Sequence, residues 1–411
     1  MTSSISYDEE LSNEKVLFIL HRETSAALYS HEFIPGGLDP QLLSGFVSAM
    51  TSFIGSLAGG EQTQWKTEYG EDIVLLVEGG EWAIGVMAIS RETNEVRSKL
   101  RRIVREFEEN FRNFKSFDRI DVVALSDFDN FVMRAIVLDR LSEKSVVIRN
   151  ADWESVMLPI ESSEVLMHVM KFLMRIKSGH TIEMIMKKQG MTLDEARDVV
   201  ALAFWHNAIR VIYVPAREDM LCLSDGALST LLTRDNPLGI STETMKVIGA
   251  LDGRSPLSYY LDMFQFKDEG TLQLELGDLV NRGYVQRIST ERRLILANEC
   301  ILNELLQLGK SILGSARMNE FFASALEAGV KAHPWTVAVR VPEPLSIRCE
   351  ISDSLSTLDL DDMYNAIEFL ISNVTERMAK KSDVAHIGSA LALAKKRCSQ
   401  KWGRFLADEF I

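Results

Sequence analysis

The stretch Lys15-Val16-Leu17-Phe18-Ile19-Leu20-His21-Arg22, followed three residues later by Ala26-Ala27-Leu28-Tyr29-Ser30-His31-Glu32-Phe33, decides the fold. A short apolar run bounded by turn residues reads as a buried strand, and the second run reads as its hairpin partner. Pro35-Gly36-Gly37 then breaks the sheet. Asp39 is placed to cap a helix, with Pro40 at the first helical position, where its missing N–H costs nothing. Leu42, Leu43, Phe46, Val47, Met50, Phe53, Ile54 and Leu57 recur at helical spacing, so a helix is expected to pack on the sheet until Gly59-Gly60 ends it. Three more strands follow, Thr63 to Tyr69, Ile73 to Glu78 and Trp82 to Ile89, with Gly79-Gly80 as a tight turn. A long charged helix from Thr93 carries Val96, Leu100, Ile103, Val104, Phe107 and Phe111 on one face. A strand-like stretch from Asp121 to Leu125 precedes an amphipathic segment from Phe128 to Leu141.

The order β-β-α-β-β-β-α, together with Ala27-Leu28-Tyr29-Ser30-His31-Glu32-Phe33 and Leu42-Leu43-Ser44-Gly45-Phe46, resembles the longin domain of the archaeal type. That is a profilin-like α/β sandwich related to roadblock modules. The resemblance covers about residues 12 to 118. A roadblock module starts with a helix and this chain starts with strands, which favours longin.

The middle third changes texture. Helices are expected over residues 163 to 177, Thr181 to Lys188 and Thr192 to His206, the last opened by the capping signature Thr192-Leu193-Asp194-Glu195. Arg210 to Val214 and Met220 to Leu223 read as a β-ribbon around the turn Pro215 to Asp219. Three helices and a ribbon resemble a winged helix. The plan recurs with Ser241 to Leu251, a helix opened by Ser255-Pro256, and Thr271 to Arg282. Gly283 to Ile288 and Arg293 to Leu296 are then the second pair of wing strands. The rest reads as helices Cys300 to Leu313, Met318 to Ala328, Leu360 to Met378 and Val384 to Phe405. Short strands are expected at Trp335 to Val341 and Leu345 to Ile351. The expected fold class is therefore α+β in four parts: a longin-like domain with its connecting helix over 1–150, winged helices over 151–225 and 226–298, and an α-rich domain over 299–411.

Composition narrows the functions open to such a chain. Its 411 residues exceed one ordinary domain, and 46% hydrophobic with 25% charged residues supports large cores. A net charge of -14 opposes general affinity for a polyanion. Cys222, Cys300, Cys349 and Cys398 lie far apart, so they read as reduced, partly buried thiols. The first ten residues are polar and acidic, and no apolar stretch approaches membrane-spanning length, which makes a cytoplasmic location the expectation.

Each candidate for chemistry has a simpler local reading. Gly309-Lys310-Ser311 imitates the end of a phosphate loop, yet Glu304 stands where that loop needs its first glycine. The seven histidines share no metal-ligand spacing with one another or with the cysteines. Cys300 and Cys398 fall in helical patterns without a nearby base, and no nucleophile elbow occurs. The expectation is no catalytic residue, no metal and no cofactor. The presumptive DNA-reading helices open with Asp194, Glu195 and Asp198, and with Asp268 and Glu269, so each would repel phosphate.

The reading is thus a non-catalytic interaction or scaffold protein. The resemblance implies a protein partner, either a small GTPase or another longin or roadblock domain, with a homodimer as a further option. A longin followed by winged helices also looks like folliculin-like and nitrogen-permease-regulator-like GTPase regulators, which implies a regulatory or scaffold subunit of a small-GTPase or trafficking-type system. Candidate docking residues are Leu42, Phe46 and Met50 on the first helix, and Arg97, Arg101 and Arg105 on the long one. A second basic cluster, Lys380-Lys381 with Lys395-Lys396-Arg397, Lys401 and Arg404, reads as a solvated helix face or as a contact for an acidic partner or an anionic membrane surface, so any membrane association is expected to be peripheral at most. The alternative is a transcription regulator whose winged helices bind DNA.

Overall fold

The computed structural model describes residues 13–34, 45–47, 49–50, 64–69, 73–116, 125–154, 164–176, 179–231, 233, 236, 238–266, 268–351, 357–381 and 384–402. The chain is mixed α+β and divides into two compact units, Met1–Arg287 and Ile288–Ile411.

In the first unit, β1 (Glu14–His21), β2 (Ala27–Glu32), β3 (Gln64–Glu68), β4 (Val74–Gly79) and β5 (Ala83–Ile89) form an antiparallel sheet in the order β2-β1-β5-β4-β3. Side chains alternate between faces along a strand, and here both faces are buried. Val16, Phe18, Leu20 and Val86 line one face, and Leu17, Ile19, Leu76 and Met87 line the other. That double burial makes β1 a continuous apolar run rather than an alternating one. Helical residues 45–47 and 49–50 cover the first face, with Val47 fully buried and Phe46 and Met50 packed beside it.

Helix α1 (Asn94–Asn110) covers the second face with Val96, Leu100, Ile103, Val104 and Phe107, and Thr93 caps it by accepting from the Val96 N–H. A Cβ on Gly85 would stand 2.3 Å from Val104 Cγ2, so only glycine lets this helix lie so close to β5. Helix α2 (Ser126–Ile136) adds Phe128, Val132 and Ile136 to that layer. The strand expected over 121–125 lies outside the described residues except for Leu125, as do residues 35–44.

Two copies of one arrangement follow. The first is β6 (Val146–Arg149), α3 (Glu164–Arg175), β7 (His180–Thr181), α4 (Ile182–Gln189), α5 (Leu193–Trp205) and β8 (Ile209–Ile212). The second is β9 (Leu221–Leu223), α6 (Ala227–Leu231), α7 (Thr242–Ala250), α8 (Leu257–Phe264), α9 (Glu269–Asn281) and β10 (Val285–Arg287). Strand β6 lies between β7 and β8, antiparallel to both. Likewise β9 pairs antiparallel with β10, and Met220 beside it bridges to Pro256, just before α8.

The copies correspond at an offset of about 75 residues, as Ile182 does to Leu257. The Ile182 N–H donates to Ser145 O at 3.0 Å, and the Leu257 N–H donates to Asp219 O at 2.8 Å. The Asn150 N–H donates to Ala208 O at 3.1 Å, and the Ser224 N–H donates to Tyr284 O at 3.0 Å. The left-handed residue after the last helix is Asn207 (φ 57°) in one copy and Gly283 (φ 71°) in the other, which suits the two residue types that tolerate that region best.

This pairing corrects the two local β-ribbons expected from sequence. Arg210–Val214 and Met220–Leu223 do not pair with each other, because β8 joins β6 and β9 joins β10. In the first copy the strand that precedes the helices occupies the middle place, and in the second β9 pairs with β10 while the neighbouring Met220 bridges to Pro256. The capping expectation at Thr192 holds, with its hydroxyl accepting from the Glu195 N–H and Glu195 accepting from the Thr192 N–H at 2.8 Å. One hydrophobic cluster runs from the sheet through α1 and α2 into α3, α4 and α5, so sheet and first copy share a core.

The second unit comprises α10 (Thr290–Leu313), α11 (Ser315–Ala332), a 3-10 turn (Pro334–Ala338), the small antiparallel pair β11 (Val339–Arg340) and β12 (Arg348–Cys349), α12 (Thr357–Ala379) and α13 (Val384–Trp402). Helix α10 packs against α12 and α13. Gly314, at φ 84°, separates α10 from α11. Arg293 to Leu296, expected as a wing strand, lies inside α10, whose first turn is capped by Ser289. The expected boundary at 298/299 therefore falls within a helix. The one at 225/226 falls just behind β9, inside the second copy.

Candidate functional site

Where sheet, α1 and second copy meet, seven charged side chains gather, five of them buried and Asp139 and Arg140 half-buried. Glu95 on α1 accepts from Arg140 Nε at 3.1 Å, pairs with Lys99 Nζ at 2.9 Å and accepts from the Arg287 backbone N–H at 3.3 Å. Arg140 reaches Glu14 of β1 at 2.8 Å. Arg287, the last residue of β10, donates from Nη1 to Asp139 O at 2.8 Å and to Asp139 Oδ2 at 3.1 Å, and its Nε lies 3.5 Å from Asp219 Oδ1. Asp219 also accepts from the Tyr213 hydroxyl and, at 2.8 Å, from the Ala216 N–H.

Four carboxylates face three cations, close to the balance that buried charge requires. Burial alone would raise the Glu95 carboxyl, but Arg140, Lys99 and Arg287 outweigh it and hold it well below the ordinary carboxylate range. Burial likewise works against Arg287, and Asp139 and Asp219 keep it firmly charged. Burial and then Asp219 push the Tyr213 hydroxyl well above its usual range. The effect of these groups is to join elements far apart in sequence.

The last helix of each copy is held against its surroundings. Helix α5 packs against α2, and Arg197 donates to Leu138 O at 2.8 Å. Asp194, Glu195 and Asp198 remain exposed. On α9, Leu272, Gln273, Leu276, Gly277, Leu279 and Val280 are buried. Gln273 Nε2 donates to Pro215 O at 3.1 Å, and its Oε1 accepts from Lys144. Thr271 and Leu274 are exposed, and Glu275 and Asp278 are half-buried. The face each helix leaves to solvent is acidic or neutral.

The sequence-derived docking residues separate into groups. Leu42 lies outside the described residues. Phe46 and Met50 turn toward the sheet, with the Phe46 ring edge-on to Tyr69 at 5.9 Å. Arg97 binds Glu78 and Glu92, each at 2.6 Å, and Arg101 Nε lies 3.5 Å from the same buried Glu78. Arg105 is exposed. On the second unit Lys380, Lys381, Lys395, Lys396 and Arg397 are exposed, with Lys380 paired to Glu376 at 2.8 Å and Arg397 to Glu304 at 3.1 Å. Gly309-Lys310-Ser311 sits within α10, and a Cβ on Gly309 would meet Met318 Sδ at 2.6 Å, so this glycine serves helix packing.

A cleft of about 460 Å³ opens between Lys66–Glu68 of β3, Ser90–Asn94, Asp225 and Gln286. Lys66 and Arg97 both pair with Glu92 at its wall. Among the described residues no group of three or more His, Cys, Asp or Glu is arranged to hold a metal ion, and no helix is long and apolar enough to cross a membrane.

His31 stacks on Trp205 with centroids 3.4 Å apart, and its Nε2 is buried without a hydrogen bond. Burial, and secondarily His206, lowers its pKa to about 3. The unfolded chain takes up this proton near pH 6.5 and the folded chain near 3. Stability should therefore be intact above about pH 6.5 and fall as pH drops through that window. Urea midpoints measured from pH 7 to 4 should decline less steeply in His31→Phe, which keeps the stacked ring. Parallel slopes would dispose of the assignment.

Sequence reasoning missed Glu14, Glu95, Arg140, Asp219 and Arg287 as one cluster. Only the Glu95–Lys99 spacing of four along a helix was a local signal. No protein-family model matches the chain, and no curated protein matches it in sequence. Fold and site together define a mixed α+β protein in which a layered sheet unit and an internal repeat are joined through buried charge.

Proposed function

We propose that this protein is a non-catalytic interaction or scaffold protein: a longin-like domain fused to two winged helices of permuted strand order, engaging a protein partner. The reading rests chiefly on α5 and α9, the last helices of the two copies, which stand in the place of a winged helix's recognition helix. In a DNA-binding winged helix that element enters the major groove and presents donors to bases and phosphates. Here α5 packs against α2 and exposes Asp194, Glu195 and Asp198, while α9 packs against the segment around Pro215 and leaves Thr271 and Leu274 exposed with Glu275 and Asp278 half-buried, so neither presents a cationic face. The sheet order β2-β1-β5-β4-β3 between helical layers supports the longin resemblance, which in turn implies a small GTPase or another longin or roadblock domain as partner. Strand β3 is bonded on one side only among the described residues, and an open edge is a natural place for such a partner to add a strand.

The test presents the immobilised full chain with three kinds of ligand. These are small GTPases loaded with GDP or a non-hydrolysable GTP analogue, isolated longin and roadblock domains, and a pool of random DNA duplexes at about 0.15 M salt. Saturable protein binding without duplex retention is expected. Sequence-specific duplex retention at that salt, with no protein bound, would replace this reading by the transcription-regulator one.

A further inference from the structure

The second unit holds Cys300 on α10 and Cys398 on α13, far apart in sequence, with their sulfurs 2.7 Å apart. That is about 0.7 Å beyond the ~2.05 Å of a bonded pair, closer than unbonded sulfurs ordinarily rest. The approach follows from the helix faces. Helix α13 buries Ile387, Ala390, Ala394 and Cys398, and the two alanines keep its seam thin. On α10, Ala297 lies one turn before Cys300 and is also buried. One turn after Cys300, Glu304 accepts from Arg397 at 3.1 Å, which fixes the register of the two helices beside the thiols. Cys398 is fully buried, whereas Cys300 is half-buried.

We propose that Cys300 and Cys398 form a redox-active thiol pair that is oxidised to an intramolecular disulfide by a low-molecular-weight disulfide, with Cys300 attacking and Cys398 resolving. The Cys300 thiolate attacks one sulfur of the oxidant RSSR, breaks its S–S bond, forms a mixed disulfide and releases RS⁻. The Cys398 thiolate then attacks Cys300 Sγ and expels the second RS⁻. Two protein thiols and RSSR become one protein disulfide and two RSH, the thiol protons ending on the leaving thiolates. Exposure sets the order, since only Cys300 is accessible to the oxidant. The bond anchors the closing helix α13 to α10, and reduction releases that anchor.

Reduced full-length protein is incubated in oxidised glutathione, quenched, alkylated and mapped by peptide mass spectrometry. A Cys300–Cys398 peptide pair is expected, with Cys222 and Cys349 alkylated. Cys398→Ser should stop at a glutathione mixed disulfide on Cys300, and Cys300→Ser should carry no adduct on Cys398. Oxidised wild type should melt on the order of 10 °C above the reduced form in the second unit's transition, a difference absent from the double serine variant. Full alkylation of both cysteines in folded, oxidant-treated protein would overturn the proposal, as would pairing of Cys300 with Cys349. A Cys398→Ser protein without adduct would overturn the assigned order.

Discussion

Replacing Arg287 by alanine is expected to lower the unfolding free energy of the first unit by about 3–5 kcal/mol, the cost of leaving buried charge uncompensated. The side chain is 3% exposed and bonds to Asp139 twice, while its Nε faces Asp219, itself 1% exposed. Truncation leaves Asp219 with only the Tyr213 hydroxyl and the Ala216 N–H, and it takes one of three cations from Glu95. The effect should show as a lower urea midpoint by tryptophan fluorescence, since Trp65, Trp82, Trp153 and Trp205 belong to this unit.

A second variant separates charge from packing. Arg287→Met with Asp219→Asn removes one cation and one carboxylate while keeping most of the volume. Its loss should be well below that of Arg287→Ala, because replacing a buried pair by well-packed neutral groups is often close to neutral. Lys66→Ala is the surface control. Lys66 is 61% exposed beside Glu92, and its loss should stay within about 1 kcal/mol. A loss of under about 1 kcal/mol for Arg287→Ala would mean that solvent reaches the cluster and that the junction is not what unites the elements.

What the sequence disclosed and what it withheld divide along the range of the signal. The hairpin of β1 and β2, the buried stripe of α1 from Val96 to Phe107 and the Thr192 capping box are local, and each is present. The strand partners are not local. Neighbouring strands usually pair, so 210–214 and 220–223 read as a ribbon, whereas β8 and β10 each pair with the strand that comes before their own copy's helices. Leu294-Ile295-Leu296 is an apolar run too short for periodicity to decide between strand and helix, and Ser289 capping Arg292 N was the cue that favoured helix. The charged cluster spans Glu14 to Arg287, and nothing in residue spacing brings those two together. For the docking candidates the limit was direction. Amphipathic spacing identified Phe46 and Met50 without saying that they turn toward the sheet, and Arg97 reads as surface charge until Glu78 is seen beside it.

Gly277→Ala is the second large effect, and it tests how the two copies are joined. A glycine in mid-helix normally costs about 1 kcal/mol against alanine, so alanine would ordinarily stabilise α9. Here an added Cβ would lie 2.2 Å from the Tyr213 carbonyl oxygen and 3.3 Å from Val214 Cα, both backbone atoms that cannot rotate away. Asn281 fastens the same segment, accepting from the Tyr213 N–H at 3.2 Å and donating to Tyr213 O at 3.2 Å. The helix must therefore lift from the chain leaving β8, at an overpacking cost of about 3 kcal/mol. After the gain in helix propensity, the net loss should be about 2 kcal/mol. Gly249→Ala on α7 supplies the contrast, because nothing lies within 4 Å of its would-be Cβ and the substitution should be stabilising or neutral. Opposite signs for one substitution at two helical glycines, read as urea midpoints on the same chain, would establish that direct backbone contact couples the copies. A stabilising Gly277→Ala would show that α9 is not seated on residues 213–214.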